Sequence, residues 1–169
     1  SEALAPRELV PAIDREPLLM IMDGHAMVHR SFRAISTQRH HTVNATGEDV
    51  TGVYGFTNVF LRALSEWNPS YCAIAFDMPA PTFRHKQFPE YKAQRESTPE
   101  ELRPQFGRVK QLMEAFGVAV YELEGWEADD VIGTLSAQAE KIGLDSVILT
   151  GDRDTFQSVS YTHLPLPTS

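Results

Sequence analysis

LLMIMDG, residues 18–24, sets five apolar side chains in succession and then stops them with an acid and a glycine. A half-exposed strand would interrupt such a run at every second position. An unbroken run closed by Asp-Gly therefore reads as a strand covered on both faces, the habit of parallel sheets. Three further segments repeat the pattern: Ala73-Ile74-Ala75-Phe76 before Asp77, Val118-Ala119-Val120-Tyr121, and Ser146-Val147-Ile148-Leu149 before Thr150-Gly151-Asp152. Between them the apolar period changes to that of a helix. Residues 52–67 carry Val53, Phe56, Val59, Phe60 and Leu64 on one face. Residues 99–116 carry Leu102, Val109, Leu112, Met113 and Phe116, with Thr98 as N-cap, Pro99 at the first position, and Pro104 expected to kink or divide the segment. Residues 127–142 turn Val131, Ile132, Leu135, Ala139 and Ile142 inward, and Gly143 ends them. Strands alternating with helices predict an α/β fold with a central, mainly parallel sheet flanked by helices.

A chain of 169 residues suffices for one buried core, and 42% hydrophobic with 22% charged residues excludes a disordered or fibrous chain. The single cysteine, Cys72, excludes a disulfide framework and a cysteine zinc site, and its apolar neighbours mark it as an inert strand residue. No apolar run approaches the ~20 residues of a membrane span. The opening SEALAPRELVPAIDREP has acids and prolines where a signal peptide would be apolar, so a cytoplasmic protein is expected. The last twelve residues, SVSYTHLPLPTS, show neither period and read as a non-native or frayed end of a fragment. The expected organisation is an N-terminal extension over 1–16, one incomplete domain over 17–157, and a tail over 158–169.

Ligands of open parallel sheets bind beyond the carboxyl ends of the strands, and the acids gather there. Asp23 closes the first run, Asp77 the second, and Asp152 with Asp154 the fourth; Glu127, Asp129 and Asp130 follow the third. Glu127 and Asp130 are three apart at a helix start and share a face. Carboxylates brought together repel one another until a cation neutralises them. Oxygen donors suit Mg²⁺ or Mn²⁺, and seven acids suggest two ions about 4 Å apart. Each acid also has a plainer reading, as a turn former, a helix N-cap, or a partner of the helix dipole. His25 and His29 have the i,i+4 spacing of a zinc helix but lack the intervening Glu of metalloproteases.

The bases are as uneven as the acids. Residues 84–110 hold seven of the fifteen Lys and Arg: Arg84, Lys86, Lys92, Arg95, Arg103, Arg108 and Lys110. The stretch FRHKQFPEYKAQR, residues 83–95, mixes bases with aromatics, a combination suited to phosphate contact and base stacking on single strands. The plainer alternative is a solvated loop.

The segments LLMIMDGHAMVHRSF, GVYGFTNVFLRAL, AIAFDMPAPTFRHKQFPEYKAQR, TPEELRPQFGRVKQLMEAFGV, GWEADDVIGTLSAQAEKIG and VILTGDRDTFQ carry a resemblance. In that order, over roughly residues 17–157, the chain resembles the 5′ nuclease family found at the N-terminus of bacterial DNA polymerase I. That family belongs to the flap endonuclease group and has a three-layer PIN-like fold. The resemblance implies Mg²⁺-dependent (or Mn²⁺-dependent) two-metal hydrolysis of DNA with a 5′ flap or nick, in primer removal and repair. It implies Asp23, Asp77, Glu127, Asp129, Asp130, Asp152 and Asp154 as metal ligands. Arg84, Lys92 and Arg95 are implied as cations of the catalytic gateway, and Arg30, His85, Lys86 and Tyr91 as further DNA contacts. His29 stands where the family commonly has Tyr. A helix-hairpin-helix region and a polymerase domain are expected in the parent chain, so the fragment alone is expected to cleave poorly or not at all.

Two other functions compete: a PIN-like ribonuclease, and a non-catalytic nucleic-acid-binding module. Net charge does not decide among them. The chain carries 23 acids and 15 bases, a net of −8, yet setting the seven proposed ligands aside leaves 16 acids against 15 bases, or −1.

Overall fold

The computed structural model describes residues 16–37, 40–78 and 98–150. Within these the chain forms β1 (Leu18–Asp23), α1 (Gly24–Ser36), α2 (Thr51–Trp67), β2 (Tyr71–Ala75), α3 (Arg103–Ala115), β3 (Ala119–Tyr121), α4 (Ala128–Lys141) and β4 (Asp145–Leu149). The four strands form one sheet in the order β3-β2-β1-β4. Every pairing is parallel: Met20 lies opposite Cys72 and Val147, and Ala75 opposite Tyr121. The α/β architecture predicted from the alternation of periods is the one observed.

The unbroken apolar run of β1 has the expected cause. Met20, Ile21 and Met22 are each 0% exposed, because alternate side chains enter two different cores. Met20 and Met22 pack with Val28, Phe56, Phe60, Ile74, Val109 and Met113 beneath α1, α2 and α3. Ile21 and Ala75 pack with Ala128, Val131 and Ile132 beneath α4. Three layers result, with each fully buried large side chain contributing about 1.5–3 kcal/mol before chain entropy is counted.

Close approach at the carboxyl edge depends on a missing side chain. A Cβ at Gly24, the first residue of α1, would stand 2.5 Å from the Phe76 ring. Glycine there lets the turn from β1 into α1 lie against the exit of β2.

Three expectations need correction. The helix expected from residue 99 begins at Arg103, with Leu102 as N-cap and no cap at Thr98. Residues 99–102 form a turn in which the Leu102 N–H donates to Pro99 O at 3.0 Å. Pro104 thus sits in the first helical turn, where its missing N–H costs nothing, and does not kink the helix. Phe116 and Ile142, expected inward, are 50% and 76% exposed. Both follow the last helical residue, where the chain is turning away from the helical face. Gly143 adopts φ +71 and ends α4 as expected.

Residues 1–15, 38–39, 79–97 and 151–169 lie outside the described residues, and with them most of the expected extension, the gateway cations Arg84, Lys92 and Arg95, the expected DNA contacts His85, Lys86 and Tyr91, Asp152, Asp154 and the tail. Among the described residues no helix is long and apolar enough to cross a membrane.

Candidate metal and nucleic-acid site

Because the sheet is all parallel, its carboxyl ends share one edge. Asp23 is the last residue of β1 and caps α1: its Oδ1 accepts from the Ala26 N–H at 3.1 Å. On the neighbouring strand, Asp77 lies two residues past β2, and its Oδ1 accepts from the Ala128 N–H at 2.7 Å. That bond fixes the exit of β2 against the first residue of α4. Pairing there runs beyond β2, since the Phe76 N–H donates to Tyr121 O at 2.9 Å.

Glu127 is the N-cap of α4 and is only 2% exposed. With Asp130 it forms a capping box, in which the Glu127 N–H donates to Asp130 Oδ2 at 3.2 Å. Asp129 is exposed. The structure therefore joins Asp77 directly to the segment bearing Glu127, Asp129 and Asp130, and sets Asp23 one strand away. The plainer role is the one observed for three of these acids, since Asp23, Glu127 and Asp130 all serve as helix caps. Among the described residues no group of three or more His, Cys, Asp or Glu is arranged to hold a metal ion. The donor chemistry fits a hard divalent cation nonetheless: every candidate is a carboxylate, and Glu127 is withdrawn from water where a negative charge needs compensation.

A cleft of about 600 Å³ opens at the same edge, beside Asp77. His25, Phe76, Arg103, Phe106 and Lys110 line it together with Glu122. Its walls are held by rings. His25 stacks on Phe106 with centroids 5.3 Å apart, and His29 lies 4.4 Å from His25. His29 Nε2 is 3.3 Å from Thr98 Oγ1. The histidine pair thus packs α1 against α3. Lys110 Nζ lies 2.7 Å from Glu122 Oε1 and 5.2 Å from the Phe76 ring centre. Arg30 is half-buried on α1 and is not part of this lining. Cys72 is half-buried in β2, and burial pushes its thiol above the usual range, as an inert strand residue requires.

Sequence reasoning noted Arg103 and Lys110 within the basic stretch but assigned them no site. Their seven-residue spacing, two helical turns, was the signal that they share a face. His25 and Phe106 left no comparable signal, because their contact joins separate helices.

The sequence model of the 5′-3′ exonuclease, N-terminal resolvase-like domain matches residues 18–166. The chain belongs to this family. DNA polymerase I of Chloroflexus aurantiacus is 48% identical over 144 residues, which cover 85% of this chain and 15% of that protein. DNA polymerase I of Mycobacterium bovis is 41% identical over 151 residues, covering 89% and 16%. This 5′-3′ exonuclease-family chain therefore spans under one-sixth of the first of these relatives and 16% of the second. Among solved structures, the bacteriophage T5 flap endonuclease, crystallised as a pseudo-enzyme-product complex with DNA and metal ions, superposes with a TM-score of 0.53. At 20% identity, over 81% of this chain and 50% of that one, the likeness establishes the fold that the exonuclease family shares with it.

Proposed function

We propose that this chain is the metal-binding part of a structure-selective 5′ nuclease that hydrolyses phosphodiester bonds in DNA bearing a 5′ flap or nick. The observation that carries the reading is the delivery of Asp23, Asp77 and Glu127 to one edge of an all-parallel sheet, with Asp77 tied to α4 at 2.7 Å. Membership of the exonuclease family supports it. In this reading Asp23, Asp77, Glu127, Asp129, Asp130, Asp152 and Asp154 hold divalent metal, Mg²⁺ or Mn²⁺, as two ions in the complete enzyme. Metal bound there lowers the pKa of an attacking water and offsets charge developing on the phosphate. Arg84, Lys92 and Arg95 steady the phosphate, while Arg30, His85, Lys86 and Tyr91 hold the strand. Asp77 fixes the start of α4, so the acids of two segments keep one spacing as substrate enters. A helix-hairpin-helix region and a polymerase domain complete the longer protein.

The capping roles of Asp23, Glu127 and Asp130 favour one competitor, a nucleic-acid-binding module without chemistry. Cleavage by the longer protein separates them. It should release short 5′ products from flap DNA in Mg²⁺, leave single-stranded RNA intact, and lose at least ~100-fold in rate in Asp23→Ala or Asp152→Asn. Undiminished cleavage by those variants would sink the assignment.

A further inference from the structure

Arg103 and Lys110 project from one face of α3, and Gly107 lies between them on the same cleft. Glycine within a helix is destabilising relative to alanine, so its presence needs a cause. Packing supplies none, for a Cβ at Gly107 would meet nothing within 4 Å. The missing side chain instead leaves the cleft open between the two cations.

The rest of the lining is largely aromatic, with Phe106 on α3 itself and His25 and Phe76 from neighbouring elements. Phe106 stacks on His25 at an interplanar angle of 25°, and Phe76 meets Phe106 edge-on at 82°. Lys110 is held in place by Glu122, whereas no ion pair engages Arg103 among the described residues. The lining holds as many acids, Asp77 and Glu122, as cations, so a bare anion gains little from this cleft. A ligand with both an anionic and a flat aromatic part uses every wall. The volume of about 600 Å³ is in the range of pockets for molecules of that size.

We propose that this cleft is a subsite for one nucleotide of the substrate strand, its phosphate held by Arg103 and Lys110 and its base lying against Phe106 and His25. The proposal rests on the nuclease reading, which supplies the DNA, and places the strand beside Asp77 rather than only within residues 84–95. Base stacking with a charge-assisted phosphate contact is a recurrent mode of single-strand binding.

The test is fluorescence anisotropy of a 5′-phosphorylated, 3′-labelled tetrathymidylate with this chain, at low salt and with EDTA present. Chelation removes metal-dependent cleavage, so the readout is independent of the acids. Gly107→Leu should fill the cleft while improving helix propensity, and should abolish binding with the circular dichroism and melting temperature intact. Arg103→Gln should weaken binding about tenfold, the loss of one hydrogen bond to a charged group. Phe106→Leu keeps the apolar volume and should weaken binding by removing the stack. No binding by the wild-type chain, or equal binding by a folded Gly107→Leu, overturns the subsite. Either result leaves the nuclease reading to be judged by flap cleavage in Asp23→Ala.

Discussion

Gln105 Oε1 accepts from the Gly52 N–H at 2.7 Å and the Val53 N–H at 3.3 Å, while its Nε2 donates to Glu101 O at 2.9 Å. These are first-turn donors of α2, which have no partner within their own helix. A side chain from α3, itself 1% exposed, satisfies them. Gln105→Leu keeps the volume but leaves the Gly52 N–H buried without its acceptor. The expected cost is about 1–3 kcal/mol, read from the urea midpoint at unchanged m-value. Hydrophobic periodicity showed that Val109 and Met113 face the core. It could not show that a glutamine one turn earlier serves a different helix, because the partner is 53 residues away.

The start of α2 has a second support at the scale of the element. Asp49 Oδ1 accepts from the Thr51 N–H at 2.9 Å and from the Thr51 hydroxyl at 2.6 Å. Partial burial pushes this carboxyl up, but the bonds from Thr51 and from His40 outweigh it and bring it below the usual aspartate range. A depressed carboxyl contributes stability above its unfolded pKa and loses it as pH falls through the folded value. Asp49→Ala removes the two bonds from Thr51 and should cost about 1 kcal/mol at pH 7. The gap to wild type should close as thermal melts are taken from about pH 5 down to pH 2. A gap that stays constant with pH would assign the effect to packing instead. Element starts were the least legible part of the sequence. Pro99 and Pro104 both satisfy the rule for proline in a first turn, and the local turn at residues 99–102 decided in favour of the second.

For the whole molecule, the strands and the acids at their ends were readable because apolar runs ended abruptly in Asp23 and Asp77. What the sequence could not show was how those acids are engaged, since helix capping and metal binding select the same residue types at the same places. The aromatic wall of the cleft was equally hidden, because His25 and Phe106 meet only when α1 and α3 pack. The net charge of −8 follows the same division. If seven acids serve divalent metal, the remaining surface is nearly neutral and offers DNA no strong repulsion.

Asp77→Asn tests that central claim most directly. Asparagine keeps an Oδ1 to accept from the Ala128 N–H, so the bond between the β2 exit and α4 survives while the charge is removed. Mn²⁺ binding to this chain, followed by electron paramagnetic resonance, should be measurable for wild type and at least ~10-fold weaker for Asp77→Asn, with an unchanged melting temperature. Equal Mn²⁺ affinity in the two proteins, or no binding by wild type, would contradict a metal site at the carboxyl edge of this sheet.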